Sequence, residues 1–298
     1  MTDRPILITG ATGQLGMALA APATLPYRAV SRPDFDFERP ETIAHCFAET
    51  TPSLVINAAA WTAVDAAEQH EAEAWRANCD GPAQLARLCR DAGVPLLHVS
   101  TDYVFDGAKG SPYLESDPVA PLGVYGASKE AGERAVLASG AEAMILRTAW
   151  VFSARGKNFA RTMINASRKT NALRVVGDQR GTPTAAEDLA GVLLAIATKI
   201  RTTGWQPAYQ GIFHATNAGD TTWHGFAEAI FDIAAPLGES RPTVTAITTA
   251  DWPTPVRRPA DSRLDTTRLA DTFGLRLPDW RDATTRIVTA MLSADASP

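Results

Sequence analysis

An apolar run, Ile6–Thr9, passes straight into Gly10-Ala11-Thr12-Gly13-Gln14-Leu15-Gly16, and a helical pattern follows over Gln14–Ala20. Strand, glycine turn and helix in immediate succession leave the chain few folds to choose from. Glycines at these spacings allow a tight turn, close approach of backbone to a pyrophosphate, and close packing of helix on strand. Free N–H groups at the helix start then favour phosphate. A glycine trio by itself is often just a turn. Here it follows a strand, precedes a helix and heads a βα series. Gly10, Thr12, Gly13, Gln14, Leu15 and Gly16 are therefore candidate dinucleotide contacts.

The rest of the first half keeps the alternation. Arg28–Ser31, Leu54–Ala60, Leu96–Thr101 and Ala143–Phe152 read as strands. A long amphipathic stretch over Ala66–Ala92 and a helix carrying Tyr125 lie between them. Nearly continuous apolar strands separated by helices indicate a parallel sheet buried on both faces, and right-handed crossovers make it doubly wound. After about residue 153 the pattern loosens. Asn158–Ser167, Ala185–Ile200 and Thr222–Ala234 read as helices, Gly211–Thr216 and Thr243–Ile247 as short strands, with proline joints at Pro253, Pro255 and Pro259. The expected fold is α/β, Rossmann-like. Residues 1–152 mainly form the NAD(P)-binding domain, and residues 153–298 a smaller, partly interleaved substrate-binding lobe.

With 298 residues, 45% apolar and 20% charged, the chain is long enough for a full core. A net charge of −5 argues against nucleic-acid binding. Local charge is uneven: from Arg147 to Arg180 there are eight Lys or Arg and one acid, Asp178. That stretch is either a solvated face or a basic pocket wall for an anionic ligand. Cys46, Cys79 and Cys89 form no Cys-x-x-Cys pair and read as reduced thiols. Five histidines show no zinc spacing. No signal peptide and no run of about 20 apolar residues is visible, so a soluble cytoplasmic protein with no metal centre is expected.

Further candidates sit at strand ends. Arg32, Asp36 and Phe37 follow the second strand. An acid there would bond the ribose of NAD, while an Arg would accommodate the phosphate of NADP. Arg32 tilts the reading toward NADP(H), with NAD(H) open. Ala59, Ala60 and Trp61 close the third strand with small residues against which a cofactor can lie, and Thr62 follows them. Trp150, at a strand end, suits packing on a sugar ring, although a lone Trp is more often core. Arg257-Arg258-Pro259 is either surface solvation or a diphosphate clamp.

Tyr125 and Lys129 lie four residues apart and share one helix face. A phenol titrates near pH 10, and a neighbouring cation would pull it toward neutrality. Thr101, in Ser100-Thr101-Asp102, could fix a substrate oxygen beside it. These features together resemble the extended short-chain dehydrogenase/reductase superfamily and, more narrowly, its dTDP-4-dehydrorhamnose reductase family. The narrow match rests on Asn57–Asp65, Ser100–Asp106, Tyr125–Glu133, Asp178–Thr184 and Pro253–Ser262. The resemblance implies that Tyr125 gives a proton to a C4 keto oxygen while nicotinamide supplies hydride. Lys129 would bond the nicotinamide ribose and lower the Tyr125 pKa, and Thr101 would hold the reacting oxygen. Trp150 would position the sugar, Thr62 and Asp102 would contact substrate, and Asn158 and Arg258 would lie near the nucleotide diphosphate.

One departure concerns magnesium, which some family members use to pair subunits through several glutamates. Ala18 and Ala290 stand where two are expected, leaving Glu187. A hard cation needs several oxygen ligands, so a monomer or weak homodimer without a magnesium bridge is expected. Two other functions compete: an NDP-sugar epimerase or dehydratase that retains its cofactor, and a non-catalytic reductase-like regulatory subunit. An intact Thr101/Tyr125/Lys129 set counts against the latter.

Overall fold

The computed structural model describes residues 4–22 and 25–295. The first half runs β1 (Ile6–Thr9), α1 (Gln14–Ala20), β2 (Tyr27–Val30), α2 (Pro40–Thr50), β3 (Leu54–Asn57), α3 (Val64–Ala67), α4 (Glu71–Trp75), α5 (Gly81–Ala92), β4 (Leu96–Thr101), α6 (Val124–Ala138) and β5 (Ala143–Thr148). Then come β6 (Val151–Phe152), α7 (Phe159–Ser167), β7 (Ala172–Val176), β8 (Arg180–Gly181), β9 (Thr184–Ala185) and α8 (Ala186–Thr203). The chain closes with β10 (Gly211–His214), β11 (Thr221–Thr222), α9 (Trp223–Ala234), β12 (Thr243–Ile247), α10 (Thr267–Phe273) and α11 (Trp280–Asp295).

Six parallel strands form the main sheet in the order β10-β5-β4-β3-β1-β2. Every residue of β1, β3 and β5 is buried, as an apolar strand covered on both faces requires. One face packs Ile6, Ile8 and Leu97 against Leu15 and Leu19 of α1 and Leu189, Leu193 and Ile196 of α8. The other packs Leu7, Val55 and Leu96 against Ile43 and Phe47 of α2, Leu85 and Cys89 of α5, and Val136 of α6. α8 and β10 lie beyond residue 152 and yet belong to this sheet and its cover. A third core, around Phe152, Phe226, Ile230, Trp280 and Val288, joins α7, α9 and α11 beside the strand carboxyl ends.

Several elements differ from the expected ones. The third strand stops at Asn57, and Ala58–Trp61 form a loop. The fifth ends at Thr148, because Trp150 takes a left-handed backbone (φ 47°) before Val151 and Phe152 pair with Thr184 and Ala185. The long stretch to Ala92 is broken by a π-turn over Arg76–Asp80. α2 adds an element outside the expected set, although Pro40 and the Ile43/Cys46/Phe47 spacing carry a helix signal.

Candidate active site

A cleft of about 870 Å³ opens along the carboxyl ends of the strands. Its floor is the glycine turn. Gly10 has φ +73°, and a Cβ there would meet the Ala58 carbonyl oxygen at 2.7 Å. At Gly16 a Cβ would meet the Gly10 oxygen at 2.1 Å, so this third glycine serves helix packing and lies beneath the cleft surface. Under the turn, Thr9 Oγ1 donates to Asn57 Oδ1 at 2.5 Å, and Asn57 Nδ2 bonds His98 Nδ1 at 2.8 Å. These buried bonds tie β1, β3 and β4 into one rigid floor.

Of the residues singled out from sequence, Gly10, Thr12, Gly13, Gln14, Leu15, Arg32, Asp36, Phe37, Ala59, Ala60, Trp61, Thr62, Thr101, Asp102, Tyr125, Lys129, Trp150 and Arg258 line this one cleft. Asn158 does not. Its Nδ2 donates to Gln14 Oε1 at 2.9 Å and to the Ser153 carbonyl at 2.8 Å, while its Oδ1 accepts from Arg161 N at 3.0 Å. The amide caps α7 and has no hydrogen left for a substrate phosphate.

At the centre, α6 presents Tyr125 and Lys129 from one face. Lys129 is 2% exposed and donates from Nζ to the Val99 carbonyl at 2.7 Å. Burial lowers its pKa to about 8, with Glu133 opposing. Burial also pushes the Tyr125 phenol up, the Thr101 hydroxyl pulling the other way. The shift of the phenol thus runs opposite to the expected one: desolvation dominates, with the Asp102 and Tyr103 charges adding to it. Thr101 donates to Asp102 Oδ1 at 3.1 Å and accepts from Tyr103 N at 3.2 Å. Burial raises the Asp102 carboxyl to about 6, opposed by the Ser262 and Thr101 hydroxyls.

Two aromatic walls flank this centre. Trp150 stacks on Trp223 with ring centroids 3.5 Å apart and 8° between planes. Tyr103 packs edge-on to Tyr125 at 5.5 Å. Arg258 holds that second wall: Nη1 donates to the Tyr103 hydroxyl at 3.0 Å and Nη2 to Asp65 Oδ2 at 2.8 Å. Trp61 turns its indole N–H to the Ala63 carbonyl at 3.1 Å and lies against His70. Its backbone is gripped by Asn78 of the π-turn, which also donates to Ser128 Oγ on α6 at 3.0 Å.

Tyr103, Trp223, Asp65 and Asn78 were not singled out from sequence. Tyr103 sits inside the quoted Ser100–Asp106 string and was within reach. Trp223 meets Trp150 across more than seventy residues, with no local pattern to announce it. The basic stretch is also resolved. Arg147 pairs with Glu133 in a buried bridge at 2.6 Å, Arg161 with Asp295 at 2.6 Å, and Arg180 with Asp220 at 2.5 Å. Arg168 pairs with Glu239 and Asp295. Acids from elsewhere in the chain balance four of these eight charges, and of the eight only Lys157 lines the cleft, so the segment is not a basic wall.

Among the described residues no three His, Cys, Asp or Glu side chains converge as a metal site, and no helix is long and apolar enough to cross a membrane. Glu187 lies at the start of α8, its pKa raised by desolvation.

The family model described as "RmlD substrate binding domain" matches residues 4–293. This chain belongs to that family. A dTDP-4-dehydrorhamnose reductase of Burkholderia thailandensis is 44% identical over 297 residues, covering 97% of this chain and 99% of that protein. A Streptomyces antibioticus protein named "Probable dTDP-4,6-dihydroxy-2-methyloxan-3-one 4-ketoreductase" is 41% identical, covering 98% and 97%. A Bacillus anthracis dTDP-4-dehydrorhamnose reductase solved in complex with NADP superposes with a TM-score of 0.87 at 30% identity, covering 97% and 99%.

Proposed function

We propose that this protein reduces the C4 ketone of dTDP-4-dehydro-β-L-rhamnose to dTDP-L-rhamnose, a precursor for cell-surface polysaccharide, with NADPH as reductant. One observation carries the reading. Tyr125, Lys129 and Thr101 converge in the same cleft as the glycine turn and Trp150, in a member of the reductase family over nearly its whole length. A nicotinamide cofactor supplies hydride when bound.

The chain's own residues do the rest. Tyr125 is protonated at neutral pH, as a phenol whose ordinary pKa near 10 is raised further by burial must be, and this is the state a proton donor to a ketone needs. Thr101 offers a hydroxyl where the reacting oxygen would lie. As the phenol gives up its proton, Lys129, still charged below about pH 8, stabilises the phenolate. Trp150 and Trp223 present flat apolar surface to a sugar ring, and Thr62 and Asp102 supply polar contacts on its rim.

Arg32 supports the NADPH preference. It lines the cleft and makes no ion pair or side-chain hydrogen bond among the described residues. Asp36, the group that would favour NAD, instead accepts from Glu38 N at 3.0 Å and faces Arg39 at 3.6 Å. A cytoplasmic monomer or weak homodimer without a magnesium bridge completes the proposal; a dimer whose mass falls on chelation would contradict the last part.

The Streptomyces relative favours a second reading, in which the ketone belongs to another dTDP-linked deoxy sugar. Stoichiometric NADPH consumption with dTDP-4-dehydrorhamnose, and product identification, test the first. An epimerase or dehydratase would leave added NADPH unconsumed. A regulatory subunit would show no turnover and a stoichiometric partner.

A further inference from the structure

Of the basic stretch between Arg147 and Arg180, one side chain lines the cleft, and it is Lys157. It is exposed and makes no ion pair or hydrogen bond among the described residues. Its neighbours, by contrast, are fastened to the nucleotide turn. Ser153 Oγ and Asn158 Nδ2 both reach Gln14 Oε1, at 3.2 and 2.9 Å. The Ser153 hydroxyl shares its single hydrogen between Gln14 Oε1 and the nearer Arg155 carbonyl at 2.6 Å. Gly156, at φ +77°, lies beside Gln14, and a Cβ there would be in ordinary contact with Gln14 Cγ at 3.4 Å. Gln14 directly follows Gly13 in the glycine turn. The loop 153–158 is therefore stapled to the dinucleotide site by two residues on either side of a free cation.

The turn itself brings no charge. α1 carries no acidic side chain in its first turn, and Gly13 provides no side-chain cap. A pyrophosphate lying there would meet no charged side chain from the turn or from α1. We propose that Lys157, held by the Gln14–Ser153–Asn158 staple, is the side-chain cation for the cofactor's pyrophosphate. The second half of the chain thus completes the cofactor site. Gln14 and Asn158 are positioning residues for it. Asn158, expected near the substrate diphosphate, instead sets the loop that carries this lysine. Arg258 is less suited to the role, because Asp65 already balances its charge.

The inference rests on the dinucleotide-binding reading, and the experiment separates the two. Dissociation constants for NADPH, NADH and dTDP are measured by calorimetry on the wild-type chain and on Lys157→Met, Lys157→Arg, Gln14→Leu and the Gln14→Leu/Lys157→Met double variant. Lys157→Met is expected to weaken NADPH and NADH alike by about tenfold, the scale of one charge-assisted hydrogen bond. It leaves dTDP and the thermal midpoint unchanged, since the side chain is exposed. Lys157→Arg recovers most of the affinity, and Gln14→Leu adds less in the Lys157→Met background than in wild type. Weakening of NADPH alone would move Lys157 to the 2′-phosphate and overturn the proposal. So would weakening of dTDP alone, or no change in any ligand. A wild-type chain that binds neither dinucleotide would overturn the functional reading, and this inference with it.

Discussion

Arg258 Nη1 lies 3.0 Å from the Tyr103 hydroxyl, and the Tyr103 ring in turn meets Tyr125 edge-on at 5.5 Å. A residue near the end of the chain thereby braces the ring that walls the proposed proton donor. Arg258→Ala removes the brace and leaves Asp65 without its partner. An expected drop of about tenfold or more in kcat/KM for the sugar nucleotide follows from the two lost bonds, with NADPH affinity little changed. Steady-state kinetics in both substrates check it; a rise in the NADPH KM instead would place Arg258 on the cofactor.

Lys129 sets an alkaline limit. Its pKa is lowered to about 8, so it is charged below that pH and neutral above. The rate of ketone reduction is expected to fall as pH rises through about 8, because the forming phenolate loses its cation. The stability sign is opposite. Charged Lys129 costs folding free energy below pH 8, and the cost fades as pH rises toward the ordinary lysine value. Lys129→Met is accordingly expected to lose activity by about 10²-fold or more while keeping or raising the thermal midpoint. A pH–rate profile flat to pH 10, or a strongly destabilised variant, would count against this.

Arg32 governs the choice of cofactor. Arg32→Gln is expected to raise the KM for NADPH by about tenfold and leave that for NADH within about twofold, from the loss of a charge-assisted contact to the 2′-phosphate. Equal effects on both cofactors would remove Arg32 from that role.

Gly181 holds the tryptophan stack from behind. A Cβ there would come within 2.5 Å of Trp150 Cε2, so Gly181→Ala must push the indole off its seat against Trp223. Overpacking of this kind costs about 1–3 kcal/mol. The expected readouts are a shift in tryptophan fluorescence and a KM for the sugar nucleotide raised by about tenfold, with NADPH binding preserved. An unchanged KM would mean that Trp150 does not seat the sugar.

Legibility from sequence followed the range of the interactions. The sheet was readable because buried parallel strands must be nearly all apolar, and Ile6–Thr9 and Leu54–Asn57 are apolar up to their last residues. Gly10, Gly13, Tyr125 and Lys129 were readable because their chemistry depends on short spacings. The end of β5 was not: Trp150 continues an apolar run, and the left-handed turn there is fixed by contacts with Gly181 and Trp223. Charge misled for a similar reason. The acids that balance Arg147, Arg161, Arg168 and Arg180 come from four other parts of the chain. Asn158 looked like a ligand because a helix cap and a phosphate contact call for the same amide.

The central claim is that the Tyr125 phenol donates the proton to a C4 ketone. The most direct measurement is turnover of dTDP-4-dehydrorhamnose with NADPH by wild-type protein and by Tyr125→Phe, with the product identified. The account predicts dTDP-L-rhamnose from wild type with one NADPH oxidised per product. It predicts a rate about 10²- to 10⁴-fold lower from the variant, which still binds NADPH. A Tyr125→Phe variant that keeps most of the wild-type rate would contradict it.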